Sequence, residues 1–389
     1  MKILWITPWF GNYRIPVYEH LQRLSGNNFF LLCSAEDTSE LVQQKLIDHL
    51  GDNVKILEKG KKYTLRRKDD YSNFANSKIV LKWQPGLWKS VKEIKPDVII
   101  TEGFGGWAPV GILYKILHRK KLCMFYERTS YVERKSPWYK TMYRSFIGKT
   151  VDYFLINGIE TEQYLDNKLK LVKKPKVKGC MVADSKGLAD AVRNFSEKDR
   201  ICLKNKFSIS KGHTFLFVGQ MVARKGIDRL LTAWVKHIIK YPDDHLLVIG
   251  DGILLNECKT IYSKEKSIHI LGSISYSEIH KYYSICDVFI MPTLEDNWCL
   301  VLPEAMACSK AVACSIYNGG TVELIKDGFN GYSFDPLDMQ SIIEVLSKFH
   351  APNLSLDIMG KRSADIEKAF SPELAAQKIF YACNCVFDN

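Results

Sequence analysis

The chain has 389 residues, 46% of them hydrophobic, with 55 Lys+Arg against 43 Asp+Glu and a formal net charge of +12. That length allows two buried cores, since domains usually run to roughly 100–200 residues. The 11 Cys fit neither a disulfide framework nor a zinc site, because the total is odd, Cys383 and Cys385 form the only close pair and no Cys-x-x-Cys occurs. A reducing cytosol is the expected home. The opening Met1-Lys-Ile-Leu-Trp-Ile-Thr-Pro8 is too short and too early broken by proline for a signal peptide. No later stretch offers the roughly 18 unbroken apolar residues of a membrane span.

The positive charge is uneven. Residues 1–183 hold 32 Lys+Arg against 18 Asp+Glu, whereas residues 184–389 hold 23 against 25. Basic clusters at Lys59-Gly-Lys-Lys62, Arg66-Arg-Lys68, Arg119-Lys-Lys121 and Lys173-Lys174 are interspersed with Tyr63, Tyr71, Trp83, Trp88, Trp138 and Tyr139. An anionic partner is implied: a membrane surface, a lipid diphosphate or a nucleic acid, with a merely solvated basic face as the plain alternative.

In chain order, β-like runs fall at Ile3–Thr7, Phe29–Cys33, Val54–Leu57, Val98–Thr101, Leu122–Tyr126 and Tyr153–Ile156. They recur at Thr214–Val218, His245–Ile249, Ile268–Leu271, Val288–Met291 and Ala311–Cys314. Stretches long enough for helices separate them, which predicts parallel sheets wound on both faces, twice over. Helices follow Pro16, with Val17, Leu21 and Leu24 inward, and Ser136-Pro137, with Tyr139, Met142, Tyr143 and Phe146 in line. The second of these also carries Lys140 and Arg144; it reads as an ordinarily packed helix, with a membrane-lying one as the alternative. Ile227, Leu230, Leu231, Trp234, Val235 and Ile238 make a core stripe that Pro242 ends. The polar residues 184–200 read as the connection between halves. Ser371–Phe387 predicts a further helix.

Four segments carry chemistry. Thr293–Cys308 places Asp296 and Glu304 with seven residues between them at a strand–loop–helix junction, Pro303 lying in the first turn of the helix. Such a junction suits a diphosphate, and carboxylates beside it read ribose or sugar hydroxyls. A helix cap at Asp296 and a solvated Glu304 form the structural alternative. Phe217–Asp228 runs from a strand through Gly219 to Arg224, Lys225 and Gly226, a second anion site or else a solvated turn. Gly250-Asp-Gly252 and Asn318-Gly-Gly320 are turns where backbone can approach a ligand. No Asp-x-Asp stands at a strand end, so a catalytic metal is not expected.

Taken in order and spacing, these pieces resemble the retaining glycosyltransferases of family four, of GT-B fold; the likeness is strongest over residues 214–335 and looser in the first half. There Ile6-Thr-Pro-Trp-Phe-Gly-Asn-Tyr-Arg-Ile-Pro16 and Tyr126-Glu-Arg-Thr-Ser130 look like loops of members that build bacterial surface polysaccharides. The resemblance implies an α/β protein of two Rossmann-like, doubly wound domains facing across a cleft. Residues 1–183 would bind the acceptor, with a terminal helix, 371–389, crossing back, and residues 184–370 the nucleotide-sugar donor.

By the same resemblance Glu304 binds the donor ribose, Asp296 faces the transferred sugar and Lys225 grips the diphosphate. Glu127 is offered as an acceptor-contacting group, against an ion pair with Arg128 or Arg134. The implied donor-binding set is Gly11, Gly219, Gln220, Arg224, Lys225, Gly252, Ser273, Glu295, Trp298, Cys299 and Leu300. Gln220 stands where the family commonly has Arg, which leaves Arg224 to supply the charge. Cys299 replaces a glycine and narrows the space near the donor.

The expected activity is a cytoplasmic, peripheral-membrane, metal-independent retaining transfer from a UDP- or GDP-sugar, with no cofactor. The expected acceptor is a lipid-linked glycan of O-antigen, capsule or lipopolysaccharide synthesis, and no nucleic acid is expected as partner. A nucleotide-sugar epimerase and a non-catalytic sugar-nucleotide or nucleic-acid binder are the alternatives.

Overall fold

The structure, a computed structural model, describes residues 1–8, 11–36, 39–66 and 78–388. Trp9 and Phe10 of the first-strand loop, and Arg67, Lys68 and Tyr71 of the basic stretch, lie outside the described residues. The chain divides into two compact units, residues 1–182 with 370–389, and residues 183–369.

The first unit contains β1 (Ile3–Ile6), β2 (Phe29–Ser34), β3 (Val54–Leu57), β4 (Lys61–Arg66), β5 (Lys78–Trp83), β6 (Val98–Glu102), β7 (Lys121–Tyr126), β8 (Tyr153–Ile156) and β9 (Lys176–Val177). Seven of these form a parallel sheet in the order β3-β2-β1-β6-β7-β8-β9. Strands buried on both faces read as continuous apolar runs, and Ile3-Leu-Trp-Ile6 is buried throughout. The pair β4 and β5 forms a separate antiparallel ribbon, Lys61 opposite Trp83, whose charges hid it from the hydrophobic pattern.

Helix Pro372–Phe387 closes this unit. The Ser371 hydroxyl accepts from the Leu374 N–H and Pro372 occupies the first turn, where its missing donor costs nothing. Its buried residues, among them Ala375, Ile379 and Cys383, pack on helix Ile15–Leu24 and on β7 and β8.

The second unit contains β10 (Thr214–Val218), β11 (His245–Ile249), β12 (Ile268–Gly272), β13 (Val288–Met291), β14 (Ala311–Ser315) and β15 (Gly331–Phe334). They form a parallel six-stranded sheet in the order β12-β11-β10-β13-β14-β15. Leu216, Phe217, Phe289 and Ile290 are fully buried at its centre, each stabilising the fold by about 1.5–3 kcal/mol. Helix Ile227–His237 buries Ile227, Leu230, Leu231 and Trp234, but Val235 faces out and His237 takes the inward place.

Two expectations are corrected. Residues 184–200 are no linker: helices Lys186–Asn194 and Glu197–Lys206 occupy most of that stretch, and the first buries Leu188, Ala189 and Val192 against helices His280–Ile285 and Val301–Ala307. Three apolar side chains among many charges sufficed to seat it. Helix Trp138–Gly148 is not packed through its apolar stripe. Pro137, not Ser136, is its cap, and Trp138, Met142 and Phe146, spaced four apart, are 73%, 63% and 70% exposed. What points inward is Arg144, donating at 2.6 Å to the fully buried Glu133 carboxylate.

Candidate functional site

At the C-terminal edge of the second sheet, three loops are knitted by backbone contacts that only glycine permits. A Cβ on Gly250 (φ +147) would lie 1.8 Å from the Gly219 carbonyl oxygen, and one on Gly252 (φ +154) 2.5 Å from that of Met221. The Gly219 N–H donates to Ile249 at 3.0 Å and the Met221 N–H to Asp251 at 2.8 Å. Gly226, at φ +67, passes beneath Pro292 with its Cβ position 2.1 Å from that carbonyl oxygen. The turn before helix Ile227–His237 is thereby clamped onto the loop after β13. In doubly wound sheets this edge is where ligands bind.

The clamp carries the charges with it. Lys225 Nζ donates to Asp296 Oδ2 at 2.5 Å, and Arg224 donates to the Glu295 carbonyl at 2.9 Å with its guanidinium 3.9 Å from the same Asp296 oxygen. Burial works against the Lys225 charge, but the Asp296 carboxylate outweighs it and holds the ammonium above its ordinary range. Asp296 is fixed in turn: its N–H donates to the Tyr317 carbonyl and its carbonyl accepts from Gly319. Asn318 Oδ1 accepts the Cys299 N–H at 2.9 Å. Gly320 leaves room for the Trp298 ring, which would stand 2.9 Å from a Cβ there.

Glu304 lies in the first turn of helix Val301–Ala307. The Tyr276 hydroxyl stands 3.4 Å from Glu304 Oε1 and 3.2 Å from the Asp184 carbonyl, dividing one proton between two acceptors. Burial pushes the Glu304 carboxyl up to about 7; the Tyr276 contact lowers it and the Asp184 charge raises it. At neutral pH this group is divided between acceptor-only and donor-capable forms.

Arg224, Lys225, Glu295 and Asp296 therefore meet in one contact set. Cys299 is buried close enough to Lys225 to feel the ammonium charge, and Leu300 is the half-buried cap of the helix that carries Glu304. Gly219 and Gly252 shape the loops. Gln220 is exposed on the first of them, and Ser273, also exposed, directly follows β12. Gly11 and Glu127 belong to the first unit. Gly11 caps a short turn with its Cβ position 2.3 Å from the Tyr13 ring. Glu127 follows β7, its carbonyl accepting from Asn157 Nδ2 at 3.3 Å and Thr161 Oγ1 at 3.2 Å.

Arg128 reaches Glu133 at 3.4 Å, and Arg134 donates to the Tyr131 carbonyl. Nearby, Arg14 is buried against Glu102, which also accepts from Trp5 Nε1 at 3.0 Å, and Arg14 lies 4.5 Å from the Phe125 ring centroid.

Two participants were missed by the sequence reading. Asn318 had a signal, standing ahead of the paired glycines. Tyr276 had none, because Ser275-Tyr-Ser277 looks like any polar turn.

Fold and site together define a protein of two parallel-sheet α/β units with a cation–carboxylate cluster at the C-terminal edge of the second, a GT-B fold. Residues 199–365, which lie within the second unit, match the family of glycosyl transferases group 1. Over the whole chain the fold is similar to the Anabaena HepE protein crystallised with UDP (TM-score 0.74, 14% identity, 99% of this chain and 100% of that one). It is also similar to a glycosyltransferase of Rickettsia africae (TM-score 0.73, 16% identity, 100% of this chain and 99% of that one).

Among curated relatives, an uncharacterized glycosyltransferase of Methanocaldococcus jannaschii is 30% identical over 160 residues, 41% of this chain and 44% of that protein. The lipopolysaccharide 1,2-N-acetylglucosaminetransferase of Salmonella typhimurium is 30% identical over 189 residues, 45% of this chain and 49% of that protein. The chain thus spans about half the length of the curated relatives it matches. Among the described residues, no helix is long and apolar enough to cross a membrane.

Proposed function

We propose that the protein is a retaining glycosyltransferase that moves a sugar from a UDP-sugar to a lipid-linked glycan acceptor at an anionic membrane surface, in bacterial surface-polysaccharide synthesis. The observation that carries this reading is the Lys225–Asp296 contact, flanked by Arg224, within the segment that matches glycosyl transferases group 1. A lysine ammonium has three donors, of which Asp296 takes one, leaving others for diphosphate oxygens. Two cations at the leaving group supply the charge that a metal provides elsewhere.

In the proposed reaction the bond from the sugar's anomeric carbon to the diphosphate breaks while the bond to the acceptor oxygen forms on the same face. The acceptor proton passes to the departing diphosphate. Lys225 and Arg224 stabilise the growing negative charge, Asp296 the cation-like ring, and Glu304 receives the ribose hydroxyls. The second unit is the donor-binding half and the first unit, through Glu127, contributes to the acceptor. UDP is favoured over GDP because the HepE structure holds UDP, and the lipopolysaccharide acceptor class is favoured by the Salmonella relative.

The membrane part rests on the stripe of Trp138, Met142 and Phe146, joined by exposed Leu113, Ile116 and Leu117 on helix Ala108–His118. Tyr143 donates to the Phe104 carbonyl, in the loop leading to that second helix. A protein with this charge excess beside exposed aromatic residues suits the cytoplasmic face of an anionic membrane.

The test is turnover: purified protein, a panel of UDP- and GDP-sugars and a lipid-linked acceptor, with nucleoside diphosphate and product both measured. Acceptor-dependent release supports the proposal, and Lys225→Ala is expected to lower turnover by roughly 100-fold or more, the scale of losing one charge-stabilising donor. Silence across the panel overturns it, as does interconversion of donor sugars without acceptor, which would mark an epimerase.

A further inference from the structure

At the opposite edge of the second sheet, where its strands begin, two imidazoles from separate elements converge on one carboxylate oxygen. Asp244 Oδ2 lies 2.8 Å from His237 Nε2 and 2.8 Å from His350 Nε2. His237 ends helix Ile227–His237, Asp244 immediately precedes β11, and His350 stands just beyond helix Met339–Lys348. The three ligand atoms all fall within 4.8 Å of one another. His237 and Asp244 are buried, whereas the His350 side chain keeps 16% of its surface in solvent.

We propose that His237, Asp244 and His350 form a binding site for a zinc-class divalent cation, independent of the donor site. Two imidazoles and a carboxylate are a donor set that zinc takes, and bonds of about 2.0 Å in a tetrahedron place neighbouring ligand atoms about 3.3 Å apart. To admit the ion the two Asp244 contacts open by about half an ångström, while the two histidine ligand atoms, within 4.8 Å of each other, draw together toward that spacing. The carboxylate is already aimed, because its other oxygen accepts the His213 N–H at 2.8 Å, an outer-shell support of the usual kind. The exposed side of His350 leaves an entry path and a fourth position for water.

The ion takes the place of the two protons that the Nε2 atoms now hold toward Asp244, and each imidazole stays neutral by carrying its proton on Nδ1. For His237 that Nδ1 is buried with no partner in the structure, so one ligand lacks its outer support, which weakens binding by roughly 10–100-fold relative to a fully supported site. The role is to tie helix Ile227–His237, the start of β11 and the end of helix Met339–Lys348 together, far along the strands from Lys225 and Asp296.

The experiment uses the whole chain stripped with chelator, then titrated with Zn2+ or Co2+ alone. One ion per chain, a rise of several degrees in Tm and visible absorption of tetrahedral Co2+ are expected. His350→Gln preserves a donor to Asp244 but not the ligand, so it should keep the metal-free Tm and lose affinity by more than the roughly 10–100-fold that removal of a supporting group brings. Failure of the wild-type chain to bind either metal overturns the proposal. So does equal binding by the wild type and His350→Gln, which would place the ion elsewhere.

Discussion

A carboxyl group raised to about 7 is half-protonated near neutrality, and Glu304 is in that state because burial outweighs the Tyr276 contact. Its folded value lies above its unfolded one, so its contribution to stability is full below about pH 4.5 and is lost as pH rises through about 7. Donor binding should run the other way. A carboxylate accepts from both hydroxyls of a ribose, so binding is expected to tighten as pH rises through 7 and to release a proton near that pH. Calorimetry with UDP in buffers of differing ionisation enthalpy measures that proton directly.

Tyr276→Phe removes the contact that lowers the Glu304 value, and should move the midpoint upward; an unmoved midpoint would detach Glu304 from the pH dependence. The partners explain what was legible here. Lys225 and Asp296 are 71 residues apart, yet each lay within a segment whose glycines and charges stood out. The Tyr276 side chain has no such neighbourhood, and only the fold brings it to Glu304.

Elements were legible where burial dictates composition. The strands at Thr214–Val218, His245–Ile249 and Val288–Met291 were bounded to the residue, because a strand covered on both faces must be apolar throughout. The ribbon of β4 and β5 and the helix Lys186–Asn194 were not, because neither depends on a long apolar run. The turns are the more sensitive elements. Gly226 combines a positive φ with a Cβ position 2.1 Å from the Pro292 carbonyl oxygen, whereas Gly328, at φ +74, has nothing within 4 Å.

Gly226→Ala must bear both backbone strain and displacement of the loop that carries Asp296. Gly328→Ala bears the strain alone, about 1–2 kcal/mol. In a unit of this size about 1 kcal/mol shifts Tm by roughly 2–4 °C. Gly226→Ala is therefore expected to lower Tm by clearly more than Gly328→Ala does and to weaken UDP binding, which Gly328→Ala leaves intact. Equal melting shifts would show that the Gly226–Pro292 approach relaxes without cost.

For the whole molecule the decisive asymmetry is electrical. Residues 1–183 hold the entire surplus of positive charge, 32 Lys+Arg against 18 Asp+Glu, while residues 184–389 are close to balanced at 23 against 25. Charge alone would give a partner no preference between a nucleic acid and a lipid surface, since both are polyanions. The exposed stripe of Trp138, Met142 and Phe146 breaks that symmetry, because apolar side chains gain from entering an acyl boundary and gain nothing from a phosphate backbone. Two contributions follow, with separate signatures.

The electrostatic part should weaken as salt rises and the Debye length falls from about 10 Å at 0.1 M to about 3 Å at 1 M. The apolar part should persist. A fully buried large apolar side chain is worth about 1.5–3 kcal/mol, so removing two that are partly immersed should cost about 2 kcal/mol, or roughly 30-fold in partitioning. The double substitution Trp138→Ala with Phe146→Ala is therefore expected to reduce binding to phosphatidylglycerol vesicles about 30-fold at high and low salt alike, with the fold intact because both side chains already face solvent. If instead the double variant binds vesicles as the wild type does, and retention on nucleic acid falls steeply with salt, the basic half serves a nucleic acid and the membrane assignment fails.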